Sequence, residues 1–227
     1  QPRREMTSQV EQSEKMVAKL NGGREYRNMR LSVRSAEQDA GADQAQQMIV
    51  EGYATTFNEQ YTLYDGRYYK IVEQIDPHAF DECDMSDVIM QYDHEGRVYA
   101  RTKNNTLTLA TDSTGLKVTA DLGGTELGRQ LYDEIRNGYT DKMSFGFIVG
   151  EDKREETHDH VNDVTTVLRT ITKITKLYDV SAVSLPANDA TSISARKYSD
   201  GVIEGIKAER LERANHIRRI NLKLFGV

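Results

Sequence analysis

Apolar and polar residues alternate along much of the chain from Glu25 to Leu185, and this period-two pattern predicts strand after strand. Met29, Leu31 and Val33 are set against Arg30, Ser32 and Arg34, as on a half-buried strand. A second strand is predicted over 48–57, and the tyrosine-rich stretch 61–75 reads as a hairpin turning around Asp65-Gly66. Asp76-Pro77-His78 resembles a short helix start, with Asp76 as N-cap and Pro77 in the first position. Short strands follow at 88–92, 98–102, 107–111 and 116–121, separated by turn signals at Glu95-Gly96, Asn104-Asn105 and Ser113-Thr114-Gly115. The period then changes: over 125–137, Leu127, Leu131 and Ile135 recur at steps of four between a Thr125 cap and the stop Gly138, which predicts a helix. Three more strands are predicted at 142–151, 164–177 and 179–185, with the charged 151–163 as a solvated loop. Many short strands and few helices predict a mainly β, α+β fold: a small closed barrel of about six to eight strands with a few surface helices.

The two ends read differently. Residues 1–24 are polar and close on Asn21-Gly22-Gly23, which predicts a flexible N-terminal arm, with a transient helix over 10–20. The stretch 35–47 reads as a polar loop. In 199–227, Val202, Ile203, Ile206, Leu211, Ile217, Ile220 and Leu224 ride among lysines and arginines at helical spacing. This basic amphipathic helix either packs on the barrel or serves as a docking or self-cleaved tail. The barrel domain is assigned to 25–198.

Composition sets outer bounds. A chain of 227 residues, 37% hydrophobic, holds one sizeable core with tails. The single cysteine, Cys83, excludes an internal disulfide and a cysteine-rich zinc site and suits a reducing cytoplasm. No apolar run approaches the roughly 20 residues that span a bilayer, and the polar first segment does not read as a secretory leader. A net charge of −6 argues against a nucleic-acid-binding body, so neither nucleic acid nor membrane is expected as a partner.

Three islands carry candidate chemistry: 92–98 with His94, 142–147 with Ser144, and 178–188 with Asp179. A serine hydroxyl needs a base within hydrogen-bond reach and a third group to orient that base, and strands hold such groups rigidly. Ser144 lies between Met143 and Phe145, with Gly146 close behind to admit a substrate backbone. His94 ends an apolar run before a glycine turn, and alternation sends Asp179, Ser181 and Val183 to one face. Ser181 and Ser184 are alternative nucleophiles, ranked behind Ser144. His158-Asp159-His160 with Asp163 offers a metal-hydrolase alternative, although the charged stretch around them reads as a loop and no metal or cofactor is assigned. Gly123-Gly124 lacks the lysine and spacing of a phosphate loop.

These islands resemble those of the tailed-phage prohead proteases, capsid-maturation serine peptidases distantly related to the herpesvirus assemblins. His94 is followed 50 positions later by Ser144 in a hydrophobe-Ser-hydrophobe-Gly-Phe strand. Asp179-Val180-Ser181 with Pro186-Ala187-Asn188 fits the closing motif, and Glu51-Gly52-Tyr53-Ala54 and Ile75-Asp76-Pro77-His78-Ala79-Phe80 match upstream. The resemblance covers roughly 25–195 and implies a herpesvirus-protease-like barrel, with Ser144 as nucleophile, His94 as general base and Asp179 as orienting acid. It implies as substrates a scaffold protein or the scaffolding segment of the capsid protein, and the protease itself. Action inside the assembling procapsid in the host cytoplasm follows, and a homo-oligomer is compatible. The family usually has Glu where this chain has Asp179, so the shorter carboxylate must come closer or act through water. A catalytically inactive scaffold or assembly protein with the same barrel is the competing reading.

Overall fold

The β-branched alternation of Val164, Val167, Ile171 and Ile174 produces the longest strand of the fold, β10 (Val164–Val183). It is the spine on which the other strands are hung in the computed structural model, which describes residues 24–30, 48–183 and 193–225. On one side β10 pairs antiparallel with β9 (Lys142–Asp159). On the other it pairs in parallel, first with β4 (Tyr69–Ile75) and then with β5 (Ile89–Tyr92). Register shifts between Ile171 and Asp179 separate the two stretches and bend the strand. β1 (Arg24–Arg30) adds to the outer side of β9, β3 (Tyr61–Asp65) to β4, and β6 (Glu95–Arg101) to β5, giving a seven-stranded sheet curled into a half-barrel. A second sheet consists of β2 (Ile49–Thr56), β8 (Gly115–Asp121) and β7 (Leu107–Thr111), in that order.

The mainly β, α+β architecture is the one expected, with the strands divided between a half-barrel and a three-stranded sheet. Several local expectations change. The charged stretch 151–159 continues β9 instead of looping, and the chain reverses at 160–163, where Asp163 has φ 54°. β1 covers β9 only over Lys142–Ile148; beyond it, Glu151, Lys153 and Glu155 line the outer edge with the charge that discourages edge-to-edge pairing. The two strands predicted at 164–177 and 179–185 are one continuous strand whose bulges mimic a break. Asp76 does accept the His78 backbone N–H (2.8 Å), but the segment forms only successive turns, Ala79 to Asp76 and Asp81 to His78, and no helix. The arm at 1–23, Leu31, Val33, the loop at 35–47, Ser184 and Pro186-Ala187-Asn188 lie outside the described residues.

Among the described residues, two α-helices complete the fold. In α1 (Glu126–Arg136) the Thr125 hydroxyl accepts the Gly128 N–H at 3.0 Å, and Gly138, at φ 75°, supplies the left-handed stop. Leu131, Tyr132 and Ile135 are its buried face. α2 (Ile193–Phe225) starts ahead of the boundary at 199 and buries Val202, Ile203 and Ile206 against Leu63, Ile71 and Val167. No helix among the described residues is long and apolar enough to cross a membrane.

A buried ion network fixes β1 to this frame. The Arg27 guanidinium grips Glu73 through both carboxylate oxygens (2.6 and 2.9 Å) and donates to Glu25 (2.6 Å). Arg169 donates to Glu73 (2.7 Å), to both oxygens of Glu25 (2.9 and 3.1 Å) and to Asp152 (2.7 Å). The Tyr61 hydroxyl also donates to Glu73, and the Tyr198 ring of α2 lies against Arg169. Burial alone would raise the Glu25 carboxyl, yet the guanidiniums of Arg169 and Arg27 hold it down at about 2. Five strands and a helix thus meet around paired charges.

Candidate active site

The run Met143–Phe147 on β9 sends Met143, Phe145 and Phe147 into the core, the last two with stacked rings 4.6 Å apart. Period two leaves Ser144 and Gly146 on the opposite face. β10 lies in register so that Ser181 pairs with Ser144 and Asp179 with Gly146, and Asp179 follows directly on the last register shift. Bulges of this kind re-aim a side chain beside a site.

His94 arrives from the other side of β10. β5 runs parallel to β10, and the Asp93 N–H donates to the Ala182 carbonyl at 2.9 Å. Asp93 (φ 49°) and His94 (φ 60°) then form a two-residue turn between the paired Tyr92 and Glu95. The reversal therefore comes before Glu95-Gly96, where it was expected, and His94 is a turn residue and not the end of a strand. Two positive φ angles are what a tight hairpin of this hand demands. Histidine in that conformation costs on the order of 1 kcal/mol, tolerated where the surroundings hold it.

Its ring is held on three sides. In the neutral imidazole, Nδ1–H donates to Asp179 Oδ1, and Nε2 accepts the Ser144 hydroxyl at 2.7 Å. Asp179 Oδ1 also accepts the Ser181 hydroxyl at 2.9 Å, and the Tyr26 ring of β1 stands edge-on to the imidazole with centroids 4.4 Å apart. Ser144 is 1% exposed and Asp179 3%, while the His94 side chain keeps 20%, so the imidazole is where this cluster meets solvent.

Asp179 thus reaches His94 directly, the closer approach that its short side chain requires. Gly146 makes the room, and not for a substrate backbone: a Cβ there would stand 2.5 Å from Asp179 Oδ2 and 2.7 Å from the Tyr26 ring. Gly146→Ala is expected to displace the Asp179 carboxylate and lengthen its contact with His94, which a structure of the variant checks. An Asp179–His94 contact kept unchanged in the variant would show that the strands absorb the added methyl.

Other candidates fall elsewhere. The Ser181 hydroxyl serves Asp179 and stands opposite Ser144. His158 bonds Thr165 at 3.1 Å and stacks edge-on against His160 near the tip of the β9–β10 ribbon. No group of three or more His, Cys, Asp or Glu able to hold a metal ion occurs among the described residues. Burial pushes the Cys83 thiol up to about 11, so it is not a ready thiolate nucleophile. A groove of about 160 Å³ lies between the hairpin's Tyr92 and Tyr99 and Leu127, Gln130, Leu131 and Glu134 of α1, and none of the three side chains lines it. Tyr26 and the support from Ser181 were missed in the sequence: no motif marks Tyr26, whereas the shared face of Asp179 and Ser181 was visible.

Comparison with known families matches residues 30–202 to the caudovirus prohead serine protease. No curated protein and no solved structure matches the chain. With three quarters of its length matched, the chain belongs to the caudovirus prohead serine protease family.

Proposed function

We propose that the chain is a serine endopeptidase of capsid maturation, with Ser144 as nucleophile, His94 as general base and acid, and Asp179 as the orienting carboxylate. The unbroken hydrogen-bonded line Ser144–His94–Asp179, drawn from β9, the β5–β6 turn and β10, carries this reading in a family of prohead proteases. A peptide carbonyl enters from the His94 side. Ser144 Oγ attacks the carbonyl carbon as His94 Nε2 takes its proton; Asp179 stabilises the resulting imidazolium. His94 then protonates the leaving amine, the C–N bond breaks, and an acyl ester remains on Ser144. Water, deprotonated by His94, resolves that ester and releases the acid.

The family points to a scaffold protein or the scaffolding segment of the capsid protein as substrate, met inside the procapsid. Self-cleavage at the flanking segments 1–24 and 199–227 belongs to the same proposal. The test is the intact mass of the chain, alone and mixed with capsid protein bearing its scaffolding segment, followed over time beside Ser144→Ala. Defined fragments from the parent alone are expected. Fragments from both would remove Ser144 from the role, and uncut capsid protein would favour an inactive assembly protein.

A further inference from the structure

The hairpin tip that presents His94 to Ser144 has a second side. Tyr92, which ends β5, and Tyr99 of β6 pack against the core there and face α1 across the groove of about 160 Å³. Ala182 pairs with Tyr92 on one flank and with Met143, the neighbour of Ser144, on the other. Two strand spacings of about 4.8 Å therefore separate Tyr92 from the strand of the nucleophile. The groove adjoins the core and Ser144 lies on the opposite face of the same end of the sheet, with the turn of Asp93 and His94 at the rim between them. A peptide folded over that rim with its carbonyl at Ser144 covers the distance in about three extended residues.

The lining defines the side chain that fits. Leu127 and Leu131 give the groove apolar surface, Tyr92 and Tyr99 two phenol rings, and Gln130 and Glu134 an amide and a carboxylate. Neither lysine nor arginine lines it, and among the described residues no cation pairs with Glu134. Asp93, Glu95 and Asp133 add negative charge beside the lining residues in sequence. An apolar stem with a cationic head is the chemistry that this surface complements: the stem lies along leucine and ring, and the head meets ring faces and a carboxylate. An acidic side chain would be repelled, and a neutral one would leave the carboxylate unpaired. At about 160 Å³ the groove falls below the roughly 300–1,000 Å³ of small-molecule sites, so its scale is that of one side chain.

We propose that this groove is a specificity subsite that takes a lysine or arginine side chain of the substrate peptide, about three residues from the bond that is cut. Glu134 pairs with the cation, and Tyr92 and Tyr99 flank it. The subsite rests on the peptidase reading and names the side chain that the same site selects.

The test digests a randomised library of short synthetic peptides with the full chain, takes Ser144→Ala as the blank, and reads the new ends by mass spectrometry. Lysine and arginine are expected at one fixed position within about three residues of the cut, about 5- to 10-fold above glutamate. On a lysine peptide and its glutamate twin the preference should appear in KM, because the groove binds substrate and transition state alike, and it should shrink as salt is raised. Glu134→Lys should reverse the preference. Asp133→Lys makes the same charge change one residue away on α1, outside the groove, and should leave lysine preferred. Cleavage without a basic preference, or a lysine preference that survives Glu134→Lys, would overturn the subsite and leave the peptidase reading standing. Peptides left uncut by the parent, or cut equally by Ser144→Ala, would overturn that reading and the subsite with it.

Discussion

On the proposed mechanism, replacing Ser144 or His94 by alanine is expected to lower kcat by about 10⁶-fold, and replacing Asp179 by asparagine by about 10⁴-fold. The two larger losses are equal because each removes the same event, transfer of the hydroxyl proton to an imidazole 2.7 Å away. In that mechanism Asp179 acts one step back. It fixes the tautomer with Nδ1 protonated and Nε2 free to accept, and it offsets the charge that the ring gains. An asparagine there can donate to Nδ1 and so turn the wrong face of the ring toward Ser144, while leaving the strands in place. Groups that act as a unit are not additive, so the triple variant should be no slower than Ser144→Ala alone. Single-turnover rates on a peptide that the parent cleaves make the comparison. Losses that multiply across the three positions would mean that the residues act independently, and full activity in Ser144→Ala would move the nucleophile elsewhere.

How much of this arrangement could be read in advance depends on the distance over which each feature is specified. β7 was predicted at its observed bounds, and the Thr125 cap and Gly138 stop of α1 were visible because caps are local chemistry. Lys142–Glu151 was legible only in part: its apolar half alternates, but the charged continuation to Asp159 is held in strand form by its cross-ribbon partner, which composition does not announce. The bulges of β10 likewise disguised one strand as two. At the site, the Ser, His and Asp islands could be named from a resemblance, whereas their meeting depends on β10 changing its parallel partner from β4 to β5. Gly146 was noticed for its missing Cβ, but which neighbour would use that space is decided by register. Glu25 and Arg27 look like surface charges in a short strand. Their burial depends on Glu73 and Arg169, 46 and 144 positions from their respective partners.

Glu73→Ala is expected to be among the most damaging single changes in the chain, costing about 3–5 kcal/mol of a total of roughly 5–15. Glu73 is fully buried and accepts from Arg27, Arg169 and Tyr61; without it two buried guanidiniums face each other with only Glu25 and Asp152 left. Glu73→Gln keeps the volume and one acceptor but loses the charge, and should fall between the two. Urea midpoints at unchanged slope give the ranking. The same change should also reach the chemistry. On β1, Glu25 and Arg27 alternate with Tyr26, so the network that holds one face of the strand presents the Tyr26 ring to His94 on the other. Leu63→Ala provides the comparison: Leu63 is buried beneath α2, away from β1, and its truncation should cost about 2–5 kcal/mol. At a temperature where both variants are folded, kcat should fall in Glu73→Ala and hold in Leu63→Ala. Equal kcat in the two would confine the ion network to stability and leave His94 positioned by Asp179 and Ser144 alone.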